Sequence, residues 1–235
     1  MLDELKAGVC EANLELKRSG LVILTWGNVS GIDRAEGLVA IKPSGVSYDE
    51  MRPEHMVIVD LEGKVVEGDL RPSSDTATHL VLYREFEGLG GVAHTHSTHA
   101  TAWAQACRPL PCYGTTHADS FRGEIPVTKQ LTRKALQGDY EAETGLAIVR
   151  AFARADPLEV PAVLVASHGP FTWGPSPEAA VENSIVLEQV AEMAAITEQL
   201  SIHLCGQPLA AAADGALVDK HFLRKHGKDA YYGQG

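Results

Sequence analysis

The sequence lacks the features that mark several large classes of protein. Its 235 residues include only 4 cysteines, and none of these has C-x-x-C spacing, so neither a disulfide scaffold nor a cysteine zinc site is expected. No apolar run approaches the length of a membrane span, and the acidic amino terminus has no basic leader. We therefore expect a cytoplasmic protein with free thiols and no membrane segment.

Positive charge is also scarce. Lys and Arg number 20 against 31 Asp and Glu, for a formal net charge of −11, which argues against binding to nucleic acid or an anionic membrane. Neither a G-x-G-x-x-G nor a Walker motif is present, so no motif supports nucleotide binding. Because we find no linker, repeat or low-complexity run, we expect one domain over residues 1–235.

Strand and helix patterns alternate along the chain. Apolar residues at helical spacing predict a helix from Leu2 that Gly20 closes, and a hairpin is predicted around Glu62-Gly63. "LVILTWGN" predicts a strand that runs into a Gly-Asn turn, and "LVAIKPSG" predicts a strand that ends in a Pro-Ser-Gly loop. "VPAVLVASHGPFTWG" is the most apolar segment and predicts one strand with His168 at its carboxyl end. "SSDTATHLVLYREF" predicts an amphipathic helix capped by Ser73 or Ser74, and the longest helix follows "SPE" near residue 176. This alternation favours a layered α/β domain.

Histidines cluster in "GVAHTHSTHA". His94 and His96 are predicted at the end of a strand, where residues i and i+2 point to the same face. Two structural histidines would give the same pattern, so a metal site needs a further ligand from elsewhere. His168, in "ASHGPF", can supply it, and three imidazoles leave positions open for substrate as in catalytic zinc sites. His99, about one turn into the next helix, is expected to be a supporting or core residue.

Three loops combine small residues, hydroxyl groups and turn-forming backbone: "TWGNVSG", "IKPSGV" and "RPSSDT". Such loops can hold a phosphate with backbone N–H groups, and Lys42 could add a positive charge. Each loop alone is more often a simple turn or helix cap. Acid–base candidates are present as well, but spacing does not choose among them: Asp75, Asp119, Glu141, Tyr231 and Tyr232.

Seven segments, in this order, resemble one family: "LTWGNVSG", "IKPSGV", "RPSSDTATH", "VAHTHSTHATAWAQA", "GTTHAD", "SHGPFTWG" and "LVDKHFLRKHGKDAYYGQG". They resemble the class II aldolase/epimerase superfamily and, within it, the L-ribulose-5-phosphate 4-epimerases. The resemblance implies a single three-layer α/β/α domain with a central, mainly antiparallel β-sheet. It also implies a fourfold-symmetric homotetramer with active sites between subunits, and a pentulose phosphate substrate whose C4 configuration is inverted.

The resemblance further implies one divalent metal ion per subunit, normally Zn²⁺, with Mn²⁺, Co²⁺ or Ni²⁺ able to replace it. The implied ligands are His94, His96 and His168. Aldolases of the superfamily carry a glutamate where this chain has Asp75. The shorter Asp75 fits the epimerase pattern and is expected close enough to the metal to be a ligand.

The remaining implied roles concern the substrate. The residues implied to bind it and its phosphate are Asn28, Lys42, Ser44, Gly45, Ser73 and Ser74. Asp119 and Tyr232 are the expected acid–base pair, with His221 in support. Thr115 and Glu141 match further active-site positions, and several of these residues are expected to reach across a subunit boundary.

Three alternatives differ in class. An aldolase of the same superfamily would release its two fragments, and Asp75 and the "DKHFLRKHGKDAYYGQ" tail count against it. A non-catalytic module like the adducin head would show a degraded metal triad, whereas all three histidines are present. A metal hydrolase would need a nucleophile-positioning loop, for which the sequence gives no support.

Overall fold

The computed structural model describes residues 2–205 and 211–232. For residues 203–205 it describes the backbone alone. Its sheet contains seven strands: β1 (Asn28–Asp33), β2 (Leu38–Ile41), β3 (Val57–Asp60), β4 (Val65–Glu67), β5 (Gly91–His94), β6 (Ala162–Leu164) and β7 (Pro170–Gly174). The spatial order is β4-β3-β2-β1-β5-β7-β6, and every neighbouring pair is antiparallel. The strands β1, β5 and β7 therefore lie side by side and bring distant parts of the chain together.

Helices surround this sheet. They are α1 (Leu2–Arg18), α2 (Thr76–Glu85), α3 (Thr98–Gln105), α4 (Thr115–Ala118), α5 (Arg133–Gln137), α6 (Tyr140–Ala151), α7 (Pro177–Cys205) and α8 (Gly215–His226), with a short 3-10 helix at Pro53–His55. Within the described ranges, none of them has both the length and the apolar character that a membrane crossing requires. The predicted first helix, the hairpin and the long helix near residue 176 are confirmed.

Helices cover both faces of the sheet because alternate strand residues point to opposite sides. On one face, Ala40 and Ile58 share a core cluster with Val9 of α1, and Ala93 shares one with Ala180 of α7. On the other face, strand valines form a larger core together with helices α2, α3 and α6. The three-layer arrangement with a central antiparallel sheet is confirmed.

Residues 21–27 form an irregular loop, so the prediction of a strand over "LVILTWGN" is wrong; β1 begins only at its last residue. Two positive φ angles, 57° at Leu24 and 74° at Gly27, interrupt extended backbone. Side chains also take the carbonyl groups that a neighbouring strand would need. Lys42 Nζ donates to the Thr25 carbonyl, and the Tyr48 hydroxyl donates to the carbonyls of Trp26 and Gly27.

Three further predictions need correction. "VPAVLVASHGPFTWG" is two antiparallel strands, β6 and β7, so His168 lies in the turn between them, next to Ser167 with φ 61°. The helix α2 has Asp75, not Ser73 or Ser74, at its N-cap position, without a side-chain capping bond, and it is buried on most sides. The strand β5 ends at His94, so the second histidine of the pair lies beyond it.

The cysteines show no disulfide in the described part of the chain. Cys10 and Cys112 are buried and free, Cys107 is exposed and free, and the side chain of Cys205 lies outside the described residues. The predicted free thiols are confirmed for the three that are described.

Candidate metal centre and active site

Three imidazoles converge at one edge of the sheet. His94 ends β5, opposite Asn28 of β1 and Phe171 of β7. Because β7 follows the turn that carries His168, that ring lies next to His94, with ring centroids 4.8 Å apart. His96 completes the group, and the ligand nitrogens of the three residues all lie within 4.8 Å of one another. The turn residue His168 and the neighbouring pair His94 and His96 thus form one potential donor set, although they are far apart in the sequence.

Hydrogen bonds orient these rings. The carbonyl of Pro170 can only accept, so His94 donates from Nδ1 over 2.9 Å and its Nε2 carries a lone pair. That Nε2 lies 3.1 Å from Nε2 of His96, and His168 Nδ1 lies 3.2 Å from the hydroxyl of Tyr140. Metal-bound histidines usually have their other ring nitrogen fixed in this way.

The protonation states also suit a metal. Burial lowers the pKa of His94 to about 3, and burial lowers the pKa of His96 and of His168 as well. The three rings are therefore neutral near pH 7, as metal ligation requires. Zn–N bonds of about 2.0–2.1 Å place the nitrogen atoms of tetrahedral ligands about 3.3–3.4 Å apart. The observed distance between Nε2 of His94 and Nε2 of His96, 3.1 Å, is close to this value. The donor set fits a divalent cation of the Zn²⁺ type.

Asp75 lies beside this group without belonging to it. Asn28 Nδ2 donates to Asp75 Oδ2 over 2.6 Å, and the aspartate lines the same cavity as the histidines. Burial alone would raise the pKa of Asp75, but the imidazoles of His94 and His79 and the bond from Asn28 outweigh it, so the pKa is lowered. Asp75 is thus a carboxylate. The cluster of donor nitrogens does not include it, and metal ligation by Asp75 stays a prediction.

Two loops that line the cavity are bonded to each other. The loop after β2 and the loop before α2 are paired through backbone bonds, from Ser44 N to the Arg71 carbonyl and from Ser73 N to the Lys42 carbonyl. Those two amides are therefore already used. An anion bound here would take its donors from the amides of Gly45 and Ser74 and from the serine hydroxyls.

Lys42 supplies positive charge to this cavity. Its side chain is buried, Nζ donates to the Thr25 carbonyl over 3.1 Å, and Nζ lies 4.9 Å from the ring centroid of Tyr48. Burial lowers the pKa of Lys42 to about 8, although Asp75 opposes the shift. The lysine remains mainly a cation at neutral pH, so this strongly acidic chain has a local positive charge in the cavity.

The cavity has a volume of about 350 Å³. It brings together eleven residues that were predicted from the sequence: Asn28, Lys42, Ser44, Gly45, Ser73, Ser74, Asp75, His94, His96, Glu141 and His168. Glu141 comes from the first turn of α6, where the Thr78 hydroxyl donates to its carbonyl. His99 does not take part, because its Nδ1 and backbone N–H are bonded to Glu188.

The other predicted residues form a separate cluster between α4 and α8. Asp119 accepts two bonds from Arg224 Nη2, of 2.8 and 2.9 Å, and lies 2.9 Å from His221 Nδ1. The guanidinium of Arg224 lies 4.5 Å from the ring centroid of Tyr232, which is exposed. Thr115 begins the same short helix α4. Within this chain, none of the four predicted members lines the cavity.

The charge state of this second cluster is clear. Burial would raise the pKa of Asp119, but the bonds from Arg224 and His221 outweigh it, so the pKa is lowered. Asp119 is a carboxylate held by a cation. It can accept a proton but is a poor donor near neutral pH.

Sequence reasoning missed several residues that the structure places at these sites. Arg224 follows His221 by one helical turn, so the spacing in "HFLRKHG" could have indicated it. Tyr140 precedes Glu141 directly and contacts His168. Trp26, inside a segment already singled out, lines the cavity. Only the pairing of distant elements reveals these contacts.

Known proteins share this architecture. Residues 7–195 match the family described as Class II Aldolase and Adducin N-terminal domain. An L-fuculose 1-phosphate aldolase structure is 25% identical, with a TM-score of 0.71, over 93% of this chain and 94% of the other. The L-fuculose-1-phosphate aldolase from Thermus thermophilus is also 25% identical, with a TM-score of 0.66, over 89% and 100% of the two chains. YgbL from Klebsiella pneumoniae, at 22% identity and a TM-score of 0.71 over 94% and 98%, shares the fold.

The described ranges thus combine a sheet with helices on both faces, a three-histidine donor set and a cavity that these histidines share with Lys42 and several serines. The family match extends over most of that structure. The chain belongs to the class II aldolase and adducin N-terminal domain family, whose enzymes are aldolases or epimerases.

Proposed function

We propose that the protein is an L-ribulose-5-phosphate 4-epimerase, which interconverts L-ribulose 5-phosphate and D-xylulose 5-phosphate. The observation that carries the proposal is the composition of the cavity. The same cavity is lined by three neutral imidazoles, a carboxylate, serine hydroxyls and the cationic Lys42. A ketose that chelates a metal through its oxygens and carries a terminal phosphate needs both kinds of group in one cavity.

The substrate's chemistry explains why bond cleavage is needed. In a 2-ketose the C3 proton is acidified by the neighbouring carbonyl, but the C4 proton is not. Direct deprotonation at C4 is therefore difficult, and the sequence has no nucleotide motif for an oxidation step. Retro-aldol cleavage of the C3–C4 bond avoids both problems, because C4 becomes a planar aldehyde that can be attacked on either face.

A base takes the C4 hydroxyl proton, the C3–C4 electron pair passes to the C2 carbonyl, and glycolaldehyde phosphate and the enediolate of dihydroxyacetone form. After the aldehyde rotates, C3 attacks its other face and the C4 oxygen regains a proton. A divalent cation at the histidines, Zn²⁺ above all, would supply Lewis-acid stabilisation of negative charge on the ketose oxygens.

The chain's own residues would position the substrate. The serines of the two paired loops and Lys42 would hold the phosphate, which keeps the aldehyde fragment attached while it turns. Asn28, bonded to Asp75, would fix that carboxylate beside the imidazoles. The shorter Asp75, where aldolases carry glutamate, favours the epimerase over an aldolase.

Two acid–base groups on opposite sides of C4 suit an inversion. We assign these roles to Asp119 and Tyr232, with His221 in support. Because these residues lie outside the cavity of their own chain, the assignment requires that a neighbouring subunit supply them. We accordingly propose a cytoplasmic homotetramer with fourfold symmetry and sites between subunits, to which Thr115 would also contribute.

The aldolase alternative is favoured by one finding, the 25% identity to L-fuculose 1-phosphate aldolase structures. A coupled assay on L-ribulose 5-phosphate, with and without chelator, separates the two. D-xylulose 5-phosphate formed only with metal present supports the epimerase. Accumulation of glycolaldehyde phosphate without formation of D-xylulose 5-phosphate indicates an aldolase. If folded, metal-loaded protein forms neither product, the substrate is a different one.

A further inference from the structure

An indole ring forms the wall of the cavity beside His96. Trp26 lines the cavity, its ring centroid lies 6.2 Å from that of His96, and 52% of the residue is exposed. Trp usually buries most of its large apolar surface. A half-exposed Trp at the edge of a polar site is therefore an informative feature.

The backbone that carries this ring is held firmly. The Tyr48 hydroxyl lies 2.9 Å from the carbonyl oxygens of both Trp26 and Gly27, and the N–H of Trp26 donates to the Ile23 carbonyl. A Cβ at Gly27 would lie 2.9 Å from the carbonyl oxygen of His94, so the loop rests directly on β5. The indole is thus presented from a fixed position.

The surrounding wall is otherwise mostly polar. Among the described residues that line the cavity, only Trp26 and Tyr140 have side chains that are both large and mainly apolar. The hydroxyl of Tyr140 is already hydrogen-bonded to His168. Polar contacts are directional and would favour one face of a bound aldehyde. Dispersion contacts with a flat ring are not directional, so they can retain a fragment while it rotates.

We propose that Trp26 retains the phosphorylated two-carbon aldehyde between bond cleavage and bond formation, and so determines how often the fragment rejoins the enediolate rather than escapes. This inference rests on the proposed epimerase function. It makes Trp26 a residue that sets the partition between epimerisation and release. Trp26 takes no part in proton transfer.

The test compares Trp26→Ala and Trp26→Phe with Ile23→Ala. Ile23 is the matched control because it belongs to the same loop and is 62% exposed but does not line the cavity. Metal-loaded protein is given L-ribulose 5-phosphate, and released glycolaldehyde phosphate and D-xylulose 5-phosphate are measured in the same mixture. We expect the ratio of released to epimerised product to rise about tenfold in Trp26→Ala, less in Trp26→Phe, and not at all in Ile23→Ala.

The outcomes are distinguishable. An unchanged ratio in Trp26→Ala, or an equal fall in both products, overturns the role of Trp26 and leaves the epimerase function standing. Failure of the wild type to form any D-xylulose 5-phosphate overturns the proposed function and this inference with it. If Trp26→Ala loses metal or does not fold, the ratio in Trp26→Phe decides by the same criterion.

Discussion

At the residue scale, the three histidines are held by different neighbours. His94 is fixed by its bond to the Pro170 carbonyl and by stacking on Phe171, with ring centroids 4.1 Å apart. His168 is held by Tyr140, and His96 lies beside the exposed Trp26. Loss of such a supporting partner typically costs about 10- to 100-fold in metal affinity, so loss of a ligand should cost more.

We therefore predict that His96→Ala loses bound metal and activity together, with activity falling by more than about 100-fold. His99→Ala is the matched control, because this nearby histidine is bonded to Glu188 and lies outside the donor set. Elemental analysis and the epimerase assay on both variants check this. A His96→Ala protein that keeps stoichiometric metal would contradict the assignment of the ligands.

The buried lysine predicts a pH dependence. The pKa of Lys42 is lowered to about 8 by burial, so its charge is present below that pH and is lost as the pH rises through it. The kcat/KM for the sugar phosphate should then fall about tenfold per pH unit above that pKa, mainly through KM. Lys42→Arg keeps its charge at high pH and should remove this alkaline limb. A limb that persists unchanged in Lys42→Arg would assign it to another group.

At the element scale, a buried polar ladder joins α2 to β1. Asn28 is bonded to Asp75 over 2.6 Å, and the Ser30 hydroxyl lies 2.7 Å from His79 Nδ1 and 2.8 Å from the Tyr83 hydroxyl. Four residues of helix rise about 6 Å and two residues of strand span about 6.6 Å, so the two spacings nearly match. The ladder therefore fixes the register of α2 against the sheet and places Asp75 beside the histidines.

This ladder predicts a difference between two substitutions. Tyr83→Phe removes one bond but leaves Ser30 paired with His79, so the free energy of unfolding should fall by about 1 kcal/mol. Ser30→Ala leaves His79 Nδ1 unpaired and removes one partner of the Tyr83 hydroxyl, which also interacts with the Val92 backbone, so the loss should be about 2–3 kcal/mol. Urea denaturation of both variants measures this. Equal losses would show that the ladder does not act as a connected network.

Periodicity predicted the elements in which local pattern and tertiary environment agree. The helices α1 and α7 and the β3–β4 hairpin are of this kind. The strand predicted in "LVILTWGN" does not form, because the side chains of Lys42 and Tyr48 donate hydrogen bonds to carbonyl groups of this segment. A local sequence pattern contains no information about these contacts. The prediction of one strand over "VPAVLVASHGPFTWG" is wrong because the chain reverses direction near Ser167, which has a positive φ angle.

The site was predictable to a similar degree. Motifs named the residues of the cavity, and the antiparallel order of β1, β5 and β7 explains why they meet. The sequence could not show that Arg224 donates hydrogen bonds to Asp119, because α4 and α8 are far apart in the chain and come into contact only in the folded structure. Nor could spacing show that Tyr140 contacts His168 across the cavity.

At the scale of the whole molecule, the cluster of Asp119, His221 and Tyr232 and the cavity with the three histidines are separate in one chain. The long helix α7 also leaves several large apolar side chains exposed: Ile185, Met193, Ile196, Leu200 and Ile202. Contiguous exposed apolar surface commonly marks a protein interface. Both observations support assembly of the site from neighbouring subunits.

Subunit complementation tests this assembly. Tyr232→Phe alone should keep its metal and lose most turnover, and His96→Ala alone should be inactive. If each site combines the cavity of one subunit with the tail of the next, random mixing by co-expression should restore about a quarter of wild-type activity. Mixed assemblies that remain inactive would show that each chain uses its own tail.

The central claim, a metal-dependent retro-aldol inversion, is tested most directly by NMR on L-ribulose 5-phosphate deuterated at C4. Cleavage of C3–C4 leaves the C4–deuterium bond intact, so metal-loaded protein should give D-xylulose 5-phosphate with deuterium fully retained, and chelated protein should give none. Product that has lost deuterium would show that C4 itself is deprotonated. Absence of product from metal-loaded protein would contradict the epimerase assignment.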